Sequence, residues 1–128
     1  MSACSGKGCG VVFKLDRSNK ETVSYTFGGG ADGASPLADL IFDNAGNLYG
    51  TASAGGNLSA CSGNGCGVVF KLRPSGKQTV LHTFRGGTDG SIPLASLIFD
   101  SAGNLYSTAS EGGENSGGVV FEIPPPSR

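Results

Sequence analysis

Helical periodicity is missing from this sequence. No window repeats its apolar residues at three-to-four spacing, which excludes long amphipathic helices. Charge is scarce as well: Asp, Glu, Lys and Arg make up 15% of the chain, and the net charge is −1. That balance gives neither the basic field that nucleic acid requires nor a charged helix for a membrane surface. No apolar run approaches membrane-spanning length, and no signal peptide opens the chain. Met1 then starts either a cytosolic protein or a trimmed one. Histidine occurs once, at His82, so no histidine cluster exists for a catalytic zinc.

Glycine is abundant instead, at 23 of 128 residues. Many tight turns between short strands produce that composition; long helices do not. The length suits one domain or part of one. The four cysteines stand in two matching loops, Cys4 to Cys9 and Cys61 to Cys66. Paired cysteines in glycine-rich loops favour local disulfides Cys4–Cys9 and Cys61–Cys66, and with them an oxidising compartment, extracellular or periplasmic in a parent context. Free thiols and a zinc site are the alternatives, although zinc loops use shorter cysteine spacing.

The chain repeats itself. A shift of 57 aligns residues 11–56 with 68–113, and 32 of the 46 positions are identical. A third copy begins at Val119 and stops at Pro124, Pro125 and Pro126. Each period holds four strand-like runs: 11–15, 22–27, 37–43 and 47–53 in the first, and 68–72, 79–84, 94–100 and 104–110 in the second. Residues 119–123 make a ninth. Four strands in about 50 residues is the signature of a β-propeller blade. Residues 37–42 are apolar on both faces, as an innermost strand stacked between blades requires, while 22–27 alternate as a peripheral strand does.

The expected fold is therefore all-β, with blades of four antiparallel strands and two blades' worth per chain. Residues 1–27 supply strands three and four of one blade, 28–84 a complete blade, and 85–128 strands one to three of the next. About two blades cannot close a ring, since propellers use roughly four to eight. Homo-oligomerisation is the economical closure, with six blades from a trimer favoured over eight from a tetramer. Residues 11–27 of one chain would complete the blade begun by residues 94–110 of another. One third strand is then surplus, and 119–123 is expected to be displaced or to pair irregularly, with the prolines ending it.

Three motifs carry a resemblance. They are Gly-Val-Val-Phe-Lys-Leu at 10–15 and 67–72, Phe-x-Gly-Gly-x-Asp-Gly-x-x-Pro-Leu-Ala at 27–38 and 84–95, and Leu-Ile-Phe-Asp-x-Ala-Gly-Asn-Leu-Tyr-x-Thr-Ala-Ser at 40–53 and 97–110. They resemble the GloVer (Gloeo/Verruco) tandem repeat of large, exported bacterial proteins, which often carry a surface anchor. The resemblance implies a propeller-like repeat and supplies no catalytic residues. The chain is far shorter than such proteins and lacks an anchor, and looks like a fragment or a minimal self-assembling version.

Candidate function sits on the loops of one face, 28–36, 54–67, 85–93 and 111–118, where the copies differ most. Arg85 replaces Gly28, Glu111 replaces Ala54, and Glu114 aligns with Asn57. On the inner strand Asp39 becomes Ser96, and the two would alternate around a channel. Asp32 and Asp89 would add a circle of carboxylates at its mouth. Such a set could bind a polyol or cation, or supply acid and base. Against this, Asp32, Asp89, Asp43 and Asp100 all sit in turn sequences that use aspartate structurally. Tyr49 and Tyr106 are expected to pack between blades with a hydroxyl partner, and His82 to be structural on an outer strand.

The reading is a self-assembling repeat that binds carbohydrate or a small molecule at Asp32, Asp39, Arg85, Asp89, Ser96, Glu111 and Glu114. The alternatives are a channel-sited hydrolase of glycosides, lactones or esters, using Asp39, Asp32 or Asp89, and a purely structural propeller piece. No cofactor or metal is expected, and the expected partner is the chain itself.

Overall fold

The computed structural model describes Cys4 and residues 8–124. Met1, Pro125 and Pro126 lie outside the described residues. Among the described residues nine strands follow one another: β1 (Val11–Leu15), β2 (Glu21–Thr26), β3 (Ile41–Phe42), β4 (Leu48–Ala52), β5 (Val68–Leu72), β6 (Gln78–Thr83), β7 (Ile98–Phe99), β8 (Leu105–Ala109) and β9 (Val119–Ile123). The one helical segment among the described residues is a 3-10 turn at Cys61–Gly63. The strands form three antiparallel sheets, ordered β1-β2, β3-β4-β5-β6 and β7-β8-β9.

Local chemistry sets the turns. Asp16 Oδ1 accepts hydrogen bonds from the Ser18 and Lys20 amides at 2.8 and 3.0 Å, closing the β1–β2 turn. In the matching β5–β6 turn, Gly76 adopts φ +92° and its amide donates to the Arg73 carbonyl at 2.8 Å. Both hairpins carry a bulge at the same place, between Val12 and Phe13 and between Val69 and Phe70.

Side-chain alternation on β5 divides the core in two. Val68, Phe70 and Leu72 join Val12, Phe27, Ala34 and Ala52 in one cluster, between the first and middle sheets. Val69 joins Tyr49, Phe84, Leu97, Leu105 and Ile123 in the other, between the middle and third sheets. The two interfaces copy each other. Phe27 meets Phe70 edge-on at 5.2 Å, and Phe84 meets Phe121 edge-on at 5.2 Å. One difference is Gly50, which stands where the second copy has Ser107. A Cβ at Gly50 would lie 2.7 Å from Leu40 Cδ2 and 2.9 Å from Phe70 Cζ, so any larger residue must push one of these side chains aside.

One expectation needs correction. The inner strands span two residues, not seven, and pair only through Ile41 with Tyr49 and Phe42 with Leu48 in the middle sheet, and Ile98 with Tyr106 and Phe99 with Leu105 in the third. The backbone explains this. Ser35 and Ile92 sit at φ +56° and +57°, and the Pro36 and Pro93 that follow them have no amide to donate. In the single chain β9 pairs with β8 at five successive positions without a shift, because its Val-Val-Phe run repeats that of β5.

Cys4–Cys9 and Cys61–Cys66 are disulfides, and no cysteine among the described residues is free, which removes the thiol and zinc alternatives. Cys66 is fully buried in the second cluster, and a Cβ at Gly86 would lie 3.0 Å from its sulfur. Closing so short a loop restricts the unfolded chain by about 2 kcal/mol per bridge. Urea unfolding with and without a reductant should show a loss of that order for each bridge. An unchanged midpoint would mean that the bridges do not constrain the chain. No helix among the described residues is long and apolar enough to cross a membrane.

Candidate functional site

Asp32 and Asp89 are held by the outer strands. Asp32 Oδ2 accepts the Tyr25 hydroxyl at 2.6 Å and the Gly28 amide at 2.8 Å. Its backbone carbonyl accepts Gln78 Nε2 from β6 at 2.8 Å. Burial, then the hydrogen bond to this carboxylate and its charge, pushes the Tyr25 hydroxyl up to about 12. Asp89 repeats the arrangement. Its Oδ2 accepts the Arg85 amide at 3.0 Å, and His82 Nε2 lies 3.2 Å away. The Arg85 guanidinium, itself largely exposed, approaches to 3.8 Å. His82 stands edge-on to Phe84 at 4.6 Å, as Tyr25 stands to Phe27 at 5.1 Å.

Asp39 lies at the opposite edge of the middle sheet, two residues before β3. It is exposed, and its amide donates to Ser96 Oγ at 3.2 Å. The structure therefore brings Asp39 to Ser96 and separates both from Asp32 and Asp89. Within the single chain, matching turns closed by Gly33 and Gly90 fold Asp32 back onto Tyr25 and Asp89 back onto His82, each an outer-strand side chain. Glu111 is exposed and bridges Ser91 through its backbone alone, at 2.8 and 3.1 Å. Glu114 is exposed in a turn closed by Ser116. Among the described residues no group of three or more His, Cys, Asp or Glu could hold a metal ion.

Sequence reading missed the Tyr25–Asp32 and His82–Asp89 pairs. The signal was available, since in both copies a hydrogen-bonding ring stands seven residues before the aspartate. The turn aspartates behave as expected. Asp43 Oδ1 accepts the Ala45 and Asn47 amides, and Oδ2 accepts Asn47 Nδ2 and the Tyr49 hydroxyl, all at 2.8–2.9 Å. Partial burial alone would raise this carboxyl; the four hydrogen bonds outweigh it and hold it at about 2. Asp100 repeats the pattern and is also lowered, chiefly by the Asn104 side chain. Tyr49 is buried against Phe99, 5.2 Å away and edge-on.

The most distinctive chemistry is apolar and lies at the two ends of the stack. On β1, Phe13 and Leu15 are 56% and 61% exposed, while their repeat equivalents Phe70 and Leu72 on β5 are 1% and 2% exposed. Val120 on β9 is 78% exposed, and its equivalent Val69 is fully buried. Phe42 is 69% exposed because the tyrosine that covers Phe99 has no counterpart on that side. Phe13, Leu15 and Val120 repeat side chains that the interior buries, and Phe42 repeats one that it half-buries.

Sheets of one repeating unit, stacked so that the interior interface recurs and the ends stay bare, define an all-β tandem-repeat protein. The chain belongs to the Gloeobacter/Verrucomicrobia repeat family, whose model matches residues 2–128. A comparison with curated proteins finds no match.

Proposed function

We propose that this chain is a self-assembling β-propeller repeat whose ends join to further copies of the same unit. The middle sheet is one four-stranded blade, and the flanking sheets are incomplete blades. One observation carries the reading: Phe13, Leu15 and Val120, bare at the ends, are the repeat equivalents of Phe70, Leu72 and Val69, buried inside. Bare patches of that kind mark association surfaces. The ends differ from each other, so the contact is head to tail and closes into a ring when the rotation allows. The next unit makes the same contact whether it belongs to the same polypeptide or another. The 128-residue chain alone takes it from a second copy, and three chains give six blades.

Native mass spectrometry with analytical ultracentrifugation tests this. The expected species at micromolar concentration has three times the 12.8 kDa of one chain. A monomer at every concentration overturns the reading. The two disulfides fit an oxidising compartment, extracellular or periplasmic.

A second reading adds ligand binding. Asp39 supports it: the residue is exposed, and its backbone amide donates to Ser96 Oγ of the neighbouring repeat. In a ring these residues alternate along the inner edge, where a polyol or carbohydrate could be held. A glycan array probed with wild type and Asp39→Asn rings separates this from a purely structural role.

A further inference from the structure

Resting on the ring reading above, we propose that β9 is a stand-in. In the single chain it occupies the place beside β8 that β1 of a second copy takes when copies join. β8 has two edges; β7 holds one and β9 the other, so β9 and an incoming β1 compete for one ladder.

β1 is the better occupant on three counts. It repeats the Val-Val-Phe-Lys-Leu of β5 without change, whereas β9 reads Val-Val-Phe-Glu-Ile. In the middle sheet Tyr49 faces Lys71, whose Nζ lies 5.9 Å from the ring centre. β9 sets Glu122 against Tyr106 instead, and in the same register β1 sets Lys14 there. Finally, β1 brings β2 as a fourth strand, whereas among the described residues no strand pairs with the outer edge of β9.

Two grooves mark the gaps that the exchange fills. One, of about 220 Å³, runs along the outer edge of β9 beside His82, Thr88 and Asp89, where the middle sheet has β6. β2 enters it. The other, of about 240 Å³, runs along β1 beside Ala38, Asp39 and Leu40, where strands one and two of the first sheet are missing. β7 and β8 enter it. Tyr106 then reaches Phe42 as Tyr49 reaches Phe99, and Thr108 reaches the Ala38 carbonyl as Thr51 reaches that of Ala95 at 3.3 Å. Gly10 fits the same scheme. A Cβ at its equivalent Gly67 would strike both Ala52 O and Pro93, whereas at Gly10 it meets Pro36 alone, and Ala109 of the neighbour supplies the missing carbonyl. The exchange also removes the bare Val120 and puts in its place Val12, already 4% exposed against its own middle sheet.

The test uses the full chain with its disulfides intact. Hydrogen exchange of peptide 119–123 is followed in the dilute monomer and in the assembled species, beside the assembly curve of Phe121→Ala. Phe121 packs on Phe84, so its loss weakens β9 and not β1. The expected result is amides in 119–123 that exchange roughly a hundredfold faster in the ring than in the monomer. Phe121→Ala should also assemble at a concentration roughly tenfold lower. A ring that keeps 119–123 protected overturns the exchange and leaves the ring reading standing. A chain that never assembles overturns both.

Discussion

Phe70→Ala lowers the unfolding free energy by about 3–5 kcal/mol, the ordinary loss for a large buried aromatic. Phe13→Ala, the same residue one repeat earlier, lowers it by no more than about 1 kcal/mol in dilute solution, as surface changes do. The sequence around the two is the same; the neighbours differ. Phe70 is 1% exposed and packs edge-on against Phe27, whereas Phe13 is 56% exposed. Against a total stability of roughly 5–15 kcal/mol, the first change removes much of the fold. The second acts on association, so Phe13→Ala should stay monomeric where the wild type assembles. Urea unfolding below the assembly concentration, paired with sedimentation above it, measures both effects. Equal losses from the two substitutions would mean that Phe13 is buried in the free chain, and the end face would not exist.

Asp43→Ala should cost about 2–4 kcal/mol, because four hydrogen bonds converge on that carboxylate and one donor, the Tyr49 hydroxyl, belongs to a buried side chain. Asp100→Ala should cost less, since Tyr106 is half-buried and water can replace the lost acceptor. The acid dependence follows from the same site. Asp43 is held at about 2, below the ordinary 3.8, so its ionised form binds the fold better than the unfolded chain. That contribution is fully present above about pH 4 and disappears as the pH falls through about 2. The wild type should lose stability across that window, and Asp43→Ala should lose correspondingly less. Parallel wild type and mutant curves between pH 2 and 5 would refute the role given to Asp43.

Much of the fold is legible in the sequence for a local reason. The bounds of β1, β5 and β9 follow from compact β-branched and aromatic runs between glycines. The outer strands begin one residue earlier than the Thr-Val pattern suggests, at Glu21 and Gln78, because the turns close on Lys20 and Lys77. Periodicity failed at the inner strands. Residues 37–40 read as strand because three of the four are apolar, yet a positive φ at Ser35 and the proline after it keep them off the ladder. The disulfides were readable from spacing within one loop. The partners of Asp32 and Asp89 were not readable from the glycine-rich loop alone, since the loop does not say which way it folds back. That depends on a tyrosine and a histidine on the preceding strand.

The unequal pair Gly50 and Ser107 bears on symmetry. Glycine lets Leu40 and Phe70 close over one unit, while Ser107 spans its own unit by donating to the Ser96 carbonyl at 2.8 Å. Consecutive wedges are therefore not interchangeable. The proposed ring of three chains would then have threefold and not sixfold rotation, and whatever lay on its axis would meet two kinds of spoke in turn.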